Sequence, residues 1–166
     1  MSDWLGHAAA VAVLAACLIS AGNAVVRYAF DASSNAWLEI QWYLFGTAVM
    51  LGAGHVLARN EHVRVDLLYG MLGPRGKAWV DLFGLICFLL PVALLVAWLS
   101  WPFFIEAWRT GEMSSNAGGL VRWPAKLLLP LGFGMLALQA LAEIVKRVCF
   151  LTGRYGLDMQ YERPLQ

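Results

Sequence analysis

Four apolar runs, each long enough to form a helix that crosses a bilayer, leave this chain few folds to choose from. A span needs roughly 20 apolar residues, and the runs fall at about 4–28, 37–59, 77–105 and 123–147. Hydrocarbon offers no partner to a backbone N–H or C=O, so such segments must satisfy their own hydrogen bonds and fold as helices. The expectation is an all-α integral membrane protein with four transmembrane helices, a single membrane domain over 1–166 ending in a polar tail at 152–166. Charged residues make up only 14% of the chain, against about 25% in a soluble domain. The connections are too short to build a separate soluble core, and a net charge of +1 gives no bulk attraction to nucleic acid.

The first run, with Leu14-Ala15-Ala16-Cys17, resembles a lipoprotein cleavage site. The stretch before it carries Asp3 and no Lys or Arg, so the basic region of a secretion signal is missing, and a retained helix is expected. Cys17, Cys87 and Cys149 stand on three separate runs without a neighbouring Cys or His, which suits buried thiols rather than zinc or redox chemistry.

Small residues recur within the runs. Ala8, Ala12, Ala16, Ser20 and Ala24 fall every fourth position in the first span, and Ala48 with Gly52 repeats the spacing in the second, beside Gly46 and Gly54. Small side chains let helix backbones approach closely, which does much of the work of association in lipid. After Arg59, the residues Val63 to Leu68 alternate apolar and charged side chains and are too few to span, so a short interfacial segment is expected between helices two and three. The third run, 29 residues or about 43 Å as a helix, exceeds a hydrocarbon core and contains Pro91 and Pro102, so it should tilt, kink at Pro91 or project. Trp123-Pro124 opens the fourth span, proline being tolerated in a first turn.

Lys and Arg number eight on the second loop and C-terminal tail against four on the other two loops, which places both termini in the cytoplasm. A solute path needs polar groups near the bilayer centre. The middles of spans three and four offer none beyond Gln139 towards one end. Charged residues gather at the boundaries instead. Arg27 and Glu39 flank the first loop, so an ion pair closing that hairpin is plausible, with Asn23 one turn below. Arg59, His62, Arg64 and Asp66 crowd the opposite side, suited to lipid headgroups, helix caps or a partner's loop. His7 and His55 would share that side, and a haem held between them makes a respiratory membrane anchor, with haem or quinone, the alternative reading. A small self-sufficient exporter is a third.

The string Arg59-Asn60-Glu61-His62-Val63-Arg64-Val65-Asp66 resembles a motif of the small, DctQ-like membrane subunit of TRAP transporters, the tripartite ATP-independent periplasmic systems. Asn23 and Arg27, then Trp37, Glu39, Trp42 and Gly46, then Ser115, Trp123, Pro130 and Gly132-Phe133 resemble that family at the matching spans. The resemblance implies a non-catalytic scaffold in the bacterial inner membrane. It would pack on a large elevator-type subunit of ten or more spans, which imports a small organic acid brought by a periplasmic binding protein. Sodium would bind that large subunit. This chain would carry no cofactor of its own, only bound phospholipid. Glu112-Met113-Ser114-Ser115-Asn116 to Arg122-Trp123 is similar to a subgroup named for mannitol or chloroaromatic compounds, but the substrate stays unassigned because this chain should not line the substrate site. Arg109, Arg122 and Lys126, on the outer loops, are the expected contacts of the binding protein.

Overall fold

A computed structural model of the chain describes residues 2–32, 34–59 and 69–156. Four helices in it are long and apolar enough to cross a membrane. They are α1 (Ser2–Phe30), α2 (Asn35–Ala58), α3 (Pro74–Thr110) and α4 (Trp123–Leu151). The fold is that of an all-α membrane protein. The expected interfacial segment lies outside the described residues.

Local chemistry sets the helix ends. Asp31, at φ 49, closes α1 in the left-handed conformation that Asp and Asn tolerate better than most residues. Pro74 starts α3 after the extended Gly73. Gly111, at φ 61, stops α3, and the Glu112 N–H reaches back to the Ala107 carbonyl at 3.1 Å to close the last turn. Neither proline inside α3 ends it. Pro91 has no N–H and its ring would press on the carbonyl one turn earlier. The helix answers with a π-helical turn at Leu85–Leu89, where the Leu90 N–H bonds to Leu85 O. At 37 residues α3 is about 55 Å long. It continues past Ile105, where the apolar pattern fades, because Gly111 and not Pro102 carries the stop.

The helices form an open row and not a closed bundle. α1 packs on α2, α2 on α4, and α4 on α3, with no comparable contact between α1 and α3. The start of α1, the end of α2, the start of α3 and the end of α4 lie at one end of the row, here the termini end; the α1–α2 turn and the α3–α4 loop lie at the other, the loop end. Small residues make the contacts, as expected where lipid removes the hydrophobic drive: Ala12, Ala48, Ala78, Ala93, Ala107, Ala137 and Ala140 are buried. Leu57, Leu85 and Ala140 form a common apolar cluster of α2, α3 and α4.

α1 is the least buried span, with 6% of its apolar window covered against 28% for α4. Ala8, Ala12 and Ala16 lie on its covered side, but Ser20 and Ala24 are exposed. The expected strip therefore holds for only part of its length. An α-helix repeats every 3.6 residues, so a four-residue strip winds off the contact face. Ile19 and Asn23 continue that face instead.

Candidate functional site

Three polar clusters stand out, all near helix ends. At the loop end, one row of α2 side chains at four-residue spacing holds the α3–α4 loop. Asn35 Nδ2 donates to Ala117 O at 2.9 Å and the Tyr43 hydroxyl to Val121 O at 2.9 Å. Between them sits Glu39, only 4% exposed. Its carboxylate accepts from the Ser114 hydroxyl, from Asn116 Nδ2 at 2.8 Å and from the Leu120 N–H at 2.7 Å. The loop wraps the carboxylate so closely that a Cβ at Gly119 would lie 2.8 Å from Glu39 Oε1. Glu39 is thus a clasp between α2 and the distant loop.

The ion pair expected between Arg27 and Glu39 does not form. Glu39 faces the α3–α4 loop, whereas Arg27 lines a groove with Leu38 and Gln41. Arg27 is exposed and makes no ion pair among the described residues. Asn23 lies between two grooves that flank the α1–α2 contact. Trp42 is exposed, and Gly46 lies against Leu128 of α4. Gly52 lies against Ala9 of α1, and Ala48 is buried in the row.

The second cluster is built around Glu112, just past α3. Lys126 of α4 donates to its carboxylate, and Arg122 approaches at 3.5 Å. Met113 and Val121 form an isolated β-bridge across the same loop. The Lys126 ammonium also lies 3.8 Å from the centre of the Phe103 ring. The hydrogen bond and charge of Lys126 hold the Glu112 carboxyl below its ordinary range, with Arg122 adding to the effect. Of the three basic residues expected to meet a binding protein, Arg122 and Lys126 are therefore engaged within the chain, and Arg109 alone is exposed without an ion pair among the described residues. Trp123 packs edge-on against Trp108 at 4.6 Å beside them.

The third cluster is at the termini end, and sequence reading missed it. Arg147 of α4 is 5% exposed. Its Nε donates to Asp81 Oδ2 of α3 at 3.1 Å and its Nη1 to Glu143 Oε2 at 2.5 Å. Glu143 also accepts from Lys146 at 2.7 Å and from Gln139 at 3.1 Å, and the Tyr69 hydroxyl donates to Asp81 at 3.1 Å. The available signal was the spacing of Gln139, Glu143 and Arg147, four residues apart on one face of an apolar span. Nearby, Arg59 pairs with Asp3 at 3.4 Å. His62, Arg64 and Asp66 lie outside the described residues. His55 stacks over Gly6, while His7 bonds to the Asp3 carbonyl at 2.7 Å.

These carboxylates are occupied by donors and tie elements together. Among the described residues, no group of three or more His, Cys, Asp or Glu is placed to hold a metal ion. Residues 16–150 match the family described as tripartite ATP-independent periplasmic transporters, DctQ component. The chain belongs to this DctQ family. The matched stretch contains the Glu39 clasp, the Glu112 cluster and the Arg147 network, and leaves Asp3 outside. A protein of Haemophilus influenzae named as a TRAP transporter small permease protein is 38% identical over 69 residues. That match covers 39% of this chain and 43% of the relative's length. The family's description names a transporter component, and the four spans make this DctQ chain a membrane protein.

Proposed function

We propose that this DctQ chain is the fixed, non-catalytic small subunit of a sodium-coupled TRAP transporter. It packs on a large elevator-type membrane subunit that imports a small organic acid delivered by a periplasmic binding protein. The observation that carries the reading is where its polar groups lie. Buried charges occur in closed clusters near the helix ends, and the hydroxyls nearer mid-span serve their own helix. Thr47 donates to Tyr43 O at 2.7 Å, and Ser100 to Val96 O at 2.6 Å. A solute crossing the bilayer needs free polar groups at that depth. A wall needs none.

In this reading the termini end faces the cytoplasm of the bacterial inner membrane, following the excess of Lys and Arg there. The loop end faces the periplasm. The clasp on Glu39 fixes the α3–α4 loop as a firm platform, from which Arg109 projects towards the binding protein. The exposed apolar faces of α1 and α3 meet the large subunit or lipid, and sodium and substrate are handled by the large subunit.

Reconstitution tests this directly. Vesicles holding this chain alone should take up no organic acid under a sodium gradient. Vesicles that also hold the large subunit, supplied with loaded binding protein, should do so. Uptake by this chain alone overturns the proposal.

A further inference from the structure

The groove on the Arg27 side of the α1–α2 contact holds polar groups that no other described residue satisfies. It has a volume of 530 Å³ and is lined by Asn23, Arg27, Tyr28, Asp31, Leu38 and Gln41, among others. Among the described residues neither Arg27 nor Asp31 makes an ion pair. The Gln41 amide nitrogen is buried without a hydrogen-bond partner. A half-turn of that carboxamide exchanges its nitrogen and oxygen, so the donor can be turned towards the groove Gln41 lines. Arg27 and Asp31 are exposed, whereas the buried Gln41 amide left unmatched is costly.

The chemistry of the groove specifies its occupant. The planar fork of Arg27 suits two oxygens of a phosphodiester. Asp31 stands one residue beyond the end of α1, where the last carbonyls of the helix add to its negative field. An ammonium group is favoured there. A molecule offering a phosphate and a primary ammonium a few bonds apart matches both. A phosphoglycerol headgroup leaves Asp31 facing hydroxyls, and a choline headgroup gives that carboxylate no N–H. The depth also fits, since Arg27 lies within one turn of the end of α1 and Tyr28 beside it is an aromatic suited to the headgroup level. Leu38, level with Arg27, and Ala24 below it are the apolar aliphatic residues of the lining, beside Ser20, Asn23 and Gln41.

We propose that this groove binds one phospholipid with a primary-amine headgroup, its phosphate on Arg27 and Gln41 and its ammonium on Asp31. The lipid covers the part of α1 that α2 leaves exposed and fastens the helix at the loop end.

The test is native mass spectrometry of the full chain, purified in detergent and incubated with phosphatidylethanolamine, phosphatidylglycerol or phosphatidylcholine. The wild type should keep a single phosphatidylethanolamine adduct, preferred about fivefold or more over the other two lipids. Arg27→Gln should weaken that adduct about tenfold. Asp31→Asn should still bind lipid but lose the preference for ethanolamine. Arg109→Gln, which removes another exposed arginine from the same end, should leave the adduct intact. Equal adducts on wild type and Arg27→Gln would mean a nonspecific lipid shell and overturn the proposal. A photo-reactive amino acid at Leu38 should label lipid in native membranes. Labelling of a polypeptide there would give the groove to a protein partner and also overturn it.

Discussion

Removing Arg147 should destabilise the protein more than any other single loss of charge at the termini end. Its guanidinium bridges two buried carboxylates on different helices, Asp81 at 3.1 Å and Glu143 at 2.5 Å, with the paired side chains 5–8% exposed. Arg147→Met keeps most of the side-chain volume but leaves those carboxylates without their shared cation. Glu143 retains Lys146 and Gln139, whereas Asp81 loses its bond from Arg147 and keeps the hydroxyl of Tyr69. Breaking a buried pair from one side costs about 3–5 kcal/mol. For a chain of this size each kcal/mol moves the unfolding midpoint by about 2–4 °C, so a fall of roughly 6–20 °C is expected. Asp81→Asn, which still offers an acceptor to Arg147, should cost only about 1–2 kcal/mol. Replacing both charges, as Arg147→Met with Asp81→Leu, removes the orphan and should restore part of the loss, a coupling of about 1–3 kcal/mol. The assay is thermal unfolding in detergent, followed by monomer remaining on size exclusion. A midpoint fall under about 3 °C for Arg147→Met, or strict additivity in the double variant, would refute the idea that these charges are held as a unit.

Three further outcomes follow from the same geometry. Gly132→Ala puts a Cβ 2.7 Å from Met50 Cβ and should cost about 1–3 kcal/mol by forcing α2 and α4 apart. Gly134→Ala meets nothing within 4 Å and should stabilise by about 0.5–1 kcal/mol, so the same melting assay separates the two. Glu39→Ala should release the α3–α4 loop, read as faster amide exchange at Leu120 and faster proteolysis near Asn116 with the helices intact; an unchanged exchange rate at Leu120 would sink the clasp. Because Lys126 holds the Glu112 carboxyl below its ordinary value, the folded chain keeps this group ionised more readily than the unfolded one. That stabilisation is complete above the ordinary carboxylate value of 4.5 and fades as pH falls through the lowered one. Protection of the Arg122 amide, bonded to Glu112 O at 2.8 Å, should therefore decline only on acidification below pH 4.5, and Lys126→Met should move that decline upward in pH.

The spans were legible because hydropathy acts over whole segments and needs no partner to be read. Helix ends were less so. The third run was read to about Ile105, while the stop comes at Gly111, whose left-handed conformation is a local property that the apolar pattern does not reveal. The strip of small residues on α1 was read at a spacing of four and drifts off its neighbour after Ala16, since the helix turns in 3.6 residues. The family resemblance singled out Glu39, but its partners lie 75 to 81 residues away in the chain. Arg27, the basic residue nearest in sequence at that end, was the natural guess and lines a groove with Leu38 and Gln41 instead. Asp81 and Arg147, separated by 66 residues, escaped for the same reason. A buried ion pair is a property of two faces that meet, and a single sequence gives each face without its mate.

The distribution of these tethers separates the four helices into two classes. The loop clasp on Glu39 joins α2 to the α3–α4 loop at one end, and the Arg147 network joins α3 to α4 at the other, so α2, α3 and α4 are linked by buried polar groups. α1 has no such bond. Its charged contacts with α2 are Asp3 to Arg59, with both side chains more than half exposed, and Asp3 to the His55 ring at 3.9 Å, and exposed pairs of the first kind contribute about 0–1 kcal/mol. Beyond that it rests on small-residue contacts that run out towards the loop end. On the proposal that this chain is a fixed subunit, the exposed loop end of α1, which packs on α2, is where a contact from outside the chain would be added. Arg27 and Asp31, which make no ion pair among the described residues, and the unpartnered Gln41 nitrogen line the groove at that end.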